Sequence, residues 1–295
     1  MATNTIGGVN LARIAQRSLD SLVTELVPLK GIFVTDFSDE VAKGPSVTTR
    51  YPTNPTVKQL LTAANRVSDN STINSVQVNI GNPRGVDIGF NDVEVINSEI
   101  QLEQLFIRPG VTAIIEDIMA TIFALVTNAN FPQNQIAAAA AYDADMVSTI
   151  SQAMSVAKIP KNPRSAIVAP SYYGNLQRDG SIQQSYAYGG AEAIRNNMAT
   201  RVHGITQYEY NGTIPTNGEN LTGFACGPAA ICLAARRPVD PQDWYGQVEN
   251  TVEPVTGLPV QFRHFYDGAE HRLQMLTQHG AAAGVAANLI RIKSA

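Results

Sequence analysis

The chain has 295 residues, of which 44 % are hydrophobic and only 16 % charged, and its net charge is −4. That is too apolar for a disordered chain and too weakly charged for a highly solvated monomer, and contacts between subunits are one destination for the apolar surface. The acidic balance argues against a nucleic-acid binder that works by neutralising phosphates, and two cysteines exclude a disulfide-dense secreted scaffold.

The first ten residues lack the basic-then-apolar order of a signal peptide, and the apolar run 118–126 is too short to span a bilayer. The expectation is a protein made and kept in a cytoplasm. Residues 10–27 read as an amphipathic helix, with Leu11, Ile14, Ala15, Leu22 and Leu26 at helical spacing, Asn10 as its cap and Pro28 as its stop. It is either a core helix or an arm lying on a neighbouring subunit. Residues 40–100 are polar and rich in Thr, Asn, Val and Gly. Short alternating stretches at 76–80, 86–90 and 93–96 read as strands with one wet face, and 68–72 as a turn. So few large apolar groups cannot build a core of their own.

A strong helix is expected after Pro109, with Val111, Ile114, Ile115, Ile118, Met119, Ile122 and Val126 on its apolar face. A second helix is expected over residues 135–157, carried by Tyr142, Met146, Ile150, Ala153 and Ala157 and by the alanine run 137–141. Residues 166–168 read as a buried strand, followed by a brief helix capped by Ser171. Residues 181–200 read as a loop with a short helical stretch at 191–197. Further strands are expected at 202–210, 229–235, 260–265, 272–276 and 289–292, with Asn211-Gly212 as a turn and 236–259 as a looser linker. Helices and strands do not alternate as βαβ units, so the fold class is α+β.

Catalytic motifs are few. Ser155 and Lys158 fit the S-x-x-K of serine β-lactamases, and Ser68-Asp69-Asn70 fits their second motif. Their order is reversed and K-T-G is absent, while Lys158 suits a helix end, where a cation opposes the dipole. Cys226 and Cys232 lack metal-ligand spacing and read as small buried hydrophobes. His203, His264, His271 and His279 form no H-E-x-x-H and read as surface or interface groups. No phosphate-cradling glycine loop is present. Asp143 and Asp145 read as the solvated edge of a helix, and Asp36, Asp39 and Glu40 lack the spacing of a calcium loop. No catalytic residue, cofactor or metal is expected.

The order of segments resembles the major capsid proteins of tailed bacteriophages, which have the Hong Kong 97 fold. Residues 86–94 followed by 103–109 are similar to that family's strand-to-helix passage. Ile159-Pro160 followed by 164–173 is similar to its sequence of helix, strand, proline and short helix. Val202-His203-Gly204-Ile205 with Ile214-Pro215 is similar to its central strand and loop, and 254–259 through Arg263, Tyr266 and Asp267 to the approach to its closing strands. The resemblance runs from about residue 10 almost to the end.

It implies an N-terminal arm at 1–40 and an extended β-hairpin loop at 41–98 that lies across the adjacent subunit. It also implies a peripheral domain at 99–134 and 250–295 with a long spine helix, and an axial domain at 135–249 with its tip near 181–200. Inter-subunit contacts are expected at Arg50, Lys58, Arg66, Asp69, Arg84, Glu94 and Arg108. The implied partners are copies of the chain in pentamers and hexamers, a separate scaffolding protein, a portal, a possible decoration protein and packaged double-stranded DNA touched without sequence preference. The implied place is the virion capsid, assembled in the host cytoplasm. Lys58 lies in the segment where one branch of the family forms a crosslink, but no partner or catalytic acid can be assigned, so none is expected. The alternative with the same fold is an encapsulin-type nanocompartment shell. The alternative from another class is a serine hydrolase using Ser155 and Lys158.

Overall fold

The computed structural model describes residues 34–41, 44–52, 73–91, 102–183, 201–240, 246–252, 257–268 and 270–295. The expected helix at 10–27, the turn at 68–72, the strand at 93–96 and the helical stretch at 191–197 lie outside these residues.

The apolar periodicity around residues 111–126 gives one helix, α1 (Leu102–Leu125). Pro109 was expected to precede it but lies inside it, so the helix begins seven residues earlier than the proline suggests. Packing outweighs the lost N–H here. The next residue, Gly110, meets the sheet so closely that a Cβ would fall on the end of the Met275 side chain.

That sheet runs in the order β1 (Val34–Val41), β10 (Ile231–Arg237), β13 (Glu270–Ala283), β12 (Pro259–Asp267) and β11 (Gln247–Val252), and β4 (Arg84–Asn91) also pairs with β13. Residues 270–276 of β13 pair with β12, 270–277 with β4 and 278–283 with β10, all antiparallel. Successive strand residues face opposite ways. Val260, Phe262, Leu273 and Met275 therefore share one face and pack with Val111, Ile114, Ile118 and Ile122 of α1 in one buried cluster. β4 belongs to the stretch that sequence composition left without a core of its own. It gains one by ladder pairing in the long sheet. β1, with parallel register from Val34 opposite Cys232, and β11 were not anticipated.

A second sheet has the order β5 (Asn134–Ile136), β14 (Leu289–Lys293), β9 (Leu221–Cys226), β6 (Ser165–Val168), β8 (Ile205–Glu209) and β7 (Arg201–Val202). The helices α2 (Ala144–Val156) and α3 (Pro170–Arg178) accompany it, and a short α4 (Gly180–Gln183) follows. Both faces of this sheet are covered. Ala166, Val168, Ala225 and Ile290 pack with Tyr142, Ile150, Met154, Tyr172 and Leu176. The alternate residues Ile167, Phe224, Cys226 and Leu289 join the cluster beneath α1, where Phe123 stands edge-on to Phe224 at 5.3 Å. The sheets do not divide the chain at residue 249: β10 completes the long sheet, and β14 is an inner strand of the second.

The single helix expected at 135–157 is three elements. β5 pairs in parallel with β14, a 3-10 turn spans Ala139–Ala141, and α2 starts only at Ala144. Helix propensity in the alanine run is outweighed by the sheet ladder. Asp143, expected on a helix surface, is instead the cap of α2 and accepts the Met146 N–H at 2.8 Å. It is in turn Ala169, with Pro170 at the first helical position, that precedes α3, in place of the expected Ser171 cap. The stretch 202–210 splits into β7 and β8 about a turn in which His203 and Gly204 have positive φ. β9 went unrecognised in the sequence.

The third sheet is a two-stranded ribbon of β2 (Ser46–Pro52) and β3 (Ile73–Asn79), paired from Ser46 opposite Asn79 to Pro52 opposite Ile73.

Candidate assembly surfaces

The ribbon has two unlike faces. Val47, Thr49, Val76 and Val78 alternate onto one face, where Val78 and Thr49 are buried. Val78 and Ile80 pack with Cys232 and Ala234 of β10, and Val47, Val76 and Ala282 cover them. The other face is polar: Thr48, Arg50, Ser75, Gln77 and Asn79 are exposed, and the Gln77 side-chain amide donates to Ser46 Oγ at 2.7 Å. Such a strip offers a second molecule hydrogen-bonding groups, not a greasy patch.

Of the residues expected at subunit contacts, Arg50 is thus exposed on the ribbon's polar face. Lys58, Arg66, Asp69 and Glu94 lie outside the described residues. Arg108 lies in α1, and nothing is described of its side chain. Arg84 opens β4 and is engaged within the chain, donating to Asp117 Oδ1 of α1 at 3.1 Å. The other Asp117 oxygen stands 3.5 Å from His279 Nε2. His279 was read as a surface or interface group. It is buried, because it falls on the same face of β13 as Leu273 and Met275. Burial pulls its pKa below the usual value, Asp117 pulls it up, and Arg84 pulls it down.

At the far end of β13, His264 and His271 stack at 6.0 Å and Tyr266 meets His271 edge-on at 5.0 Å. Burial and the neighbouring His271 lower the His264 pKa. On the opposite face Arg272 pairs with Asp87 at 3.2 Å and Glu270 at 3.5 Å, and Gln274 donates to Asp87 at 2.9 Å. These are half-exposed polar contacts, each of small energetic weight.

The serine–lysine motif is a helix stop. The N–H of Ile159 donates to Met154 O and that of Lys158 to Ser155 O, with Lys158 at φ 61°, which is a Schellman termination of α2. Ser155 Oγ donates to Ser151 O and accepts from both terminal nitrogens of Arg164. Arg164, buried and with its pKa lowered by that burial, also donates to the carbonyls of Ser151, Ile159 and Pro160. It neutralises the negative end of the helix. Among the described residues no side-chain hydrogen bond joins Ser155 to Lys158.

A second buried arginine closes the other side of the same unit. Arg291 of β14 donates to Phe131 O at 2.6 Å and Asn128 Oδ1 at 2.7 Å and pairs with Glu219. Asn217 reaches across to cap α1, donating to the carbonyls of Phe123 and Val126. Cys226 and Cys232 are buried free thiols, as their spacing suggested, and burial raises the pKa of both. Asp36 forms an ion pair with Arg236 at 3.0 Å. Among the described residues no three His, Cys, Asp or Glu side chains cluster as a metal site, and no helix is long and apolar enough to cross a membrane.

No protein-family model matches the sequence, and a search of curated proteins finds no match. Solved structures do match. The capsid structure of the cyanophage P-SCSP1u superposes with a TM-score of 0.59 at 12 % identity, covering 90 % of this chain and 89 % of that one. A structure from Mycobacterium phage Che8 gives 0.57 at 18 % identity, covering 85 % of each chain. The chain has a Hong Kong 97-like capsid fold. A virus-like particle from Pyrococcus furiosus also matches, with a TM-score of 0.54 at 10 % identity and coverage of 97 % and 100 %. In the chain the ribbon lies between β1 and β4, and α1 follows β4.

Sequence reasoning missed Arg164, Asn217 and Arg291. Only Asn217-Gly218 carried a local signal, a turn dipeptide, and the two arginines look like any others until the fold buries them.

Proposed function

We propose that this chain is a major capsid protein, assembling as pentamers and hexamers into the icosahedral head of a tailed phage around double-stranded DNA. The reading is supported by one observation above the rest. The match to three phage capsid chains covers 88–90 % of this chain and 85–89 % of each of those, so the fold does not stand for a shared module alone.

In this reading residues 1–40 form the arm and 41–98 the extended loop, with β4 rooted in the peripheral sheet. Residues 99–134 and 250–295 supply most of the peripheral domain and 135–249 most of the axial domain. Arg50 on the polar face of the ribbon, with Lys58, Arg66, Asp69, Arg84, Glu94 and Arg108, contributes to contacts between neighbours. Each contact is modest, and closure of the array multiplies them. A scaffolding protein, a portal and in some shells a decoration protein complete the particle, which is built in the host cytoplasm. The reading is of a structural protein, and it is supported by Ser155 and Lys158 serving to end α2.

The test is co-expression of the full chain with its scaffolding protein, followed by electron microscopy. Closed shells are expected, and only soluble monomers under every assembly condition would overturn the proposal. The match to a virus-like particle keeps one further reading in view, a shell around protein cargo of the encapsulin type. Shells purified from the native source decide between them, by holding DNA or by holding a cargo protein.

A further inference from the structure

His279 is a buried polar side chain whose two ring nitrogens have no hydrogen-bond partner among the described residues. Such a group is costly unless something compensates it, which asks for an account. Asp117 Oδ2 stands 3.5 Å from its Nε2, beyond the usual hydrogen-bond range. Asp117 meanwhile gives its other oxygen to Arg84. One carboxylate thus stands between a fixed cation and a group that can become one.

The surroundings make this competition consequential. Arg84 begins β4, at the end of the turn that leaves β3. Besides Ile80, which packs on Cys232 and Ala234 of β10, three contacts hold that turn to the body: Arg84 on Asp117, the Gln278 amide donating to Gly81 O at 2.9 Å, and the backbone of Gly280 against Asn79. The last two residues flank His279 on β13. The charged groups facing His279 are Asp117 from α1 and Arg84 from β4. On β10 the residue opposite is Ala235, with Arg237 two positions further on, and on β1 Phe37 lies opposite Ala235. Among the described residues Asp117 is therefore the one anion that Arg84 and His279 both face. Arg84 and Asp117 are exposed enough to separate without disturbing the core, with side-chain exposures of 55 % and 38 %.

We propose that His279, Asp117 and Arg84 form a proton-sensitive latch at the root of the ribbon: protonated His279 takes Asp117, Arg84 lets go, and the 79–84 turn loosens from α1. With His279 neutral, the Arg84–Asp117 pair is balanced and the latch is closed. A proton on His279 puts two cations against one carboxylate in a half-buried place. The cheaper adjustment is for the exposed cation, Arg84, to move into water while His279 closes its gap to Asp117. The sign follows from the direction of the shift. Burial lowers the His279 pKa in both states, but only the closed state also holds Arg84 beside it, which lowers it further, so the open state binds the proton more readily and acid works against closure.

Hydrogen–deuterium exchange on the full-length chain, corrected for the intrinsic pH dependence of exchange, reads this at residues 79–91. Between pH 7.5 and pH 5 the protection of that segment is expected to fall several-fold, while β14 keeps its protection. His279→Asn is expected to flatten the response. Arg84→Gln, on an exposed side chain, keeps the test valid should the histidine variant fail to fold. It removes the opposing cation, so the His279 titration followed by NMR moves to higher pH, and the segment loses protection already at pH 7.5. Equal acid responses in wild type and His279→Asn, or an unmoved His279 midpoint in Arg84→Gln, would overturn the proposal.

Discussion

The second sheet and the ribbon use the same period-two geometry to opposite ends. In the second sheet every residue of β6 is buried, because its even and odd side chains enter two different cores. In the ribbon one row of side chains packs on β10 and the other row stays wet. A strand that is apolar at every position marks an inner wall, whereas one with a continuous polar row has a face left for another molecule. The placement of charge follows the same division. Arg164 and Arg291 are buried beside the second sheet with their donors used, while the ion pair at the ribbon's root is half in water.

Three substitutions test how deep that difference goes, each read as a shift in the denaturant midpoint of the full chain. Phe224→Ala empties a fully buried site between α1 and the second sheet, and is expected to cost about 3–5 kcal/mol. A loss under about 1 kcal/mol would mean that the two sheets do not share a core. Val78→Ala removes two methylene equivalents from the smaller cluster under the ribbon, for about 1.5 kcal/mol. If it matched the first substitution, the ribbon would be as firmly built in as the second sheet. Arg50→Ser, on the wet face, should leave folding within about 0.5 kcal/mol of wild type. Its effect belongs to assembly, as a reduced yield of shells in the co-expression experiment. Unchanged yield would remove Arg50 from the contact surface.

The contrast also explains what could be read in advance. The apolar face of α1 and the alternation at 76–80 were legible because a single pattern ran uninterrupted over enough residues. The helix expected over 135–157 misled because five alanines favour a helix locally, while the ladder with β14 and the Asp143 cap are settled by residues far along the chain. β1 and β9 depended on partners nearly two hundred and about sixty residues away, Cys232 for Val34 and Ile167 for Phe224, and no local signal announces such a pairing. The candidate surface was partly visible: the polar character of the ribbon came from composition, and its proposed place across a neighbour from the resemblance. His279 was missed although the sequence held a clue. Leu273, Met275, Thr277 and His279 fall on one side of a strand, and two of the four are plainly core residues. The two-residue rhythm, carried four positions past the last obvious hydrophobe, puts the imidazole inside.

β13 is one unbroken strand of 14 residues, about 45 Å from end to end. Its hairpin end carries the histidine and arginine contacts, and its other end braces the turn below the ribbon and the β10 ladder. It behaves as a beam with no joint. A load applied at the hairpin, such as a push from an adjoining molecule, meets no loop along the way and arrives as compression at the far support.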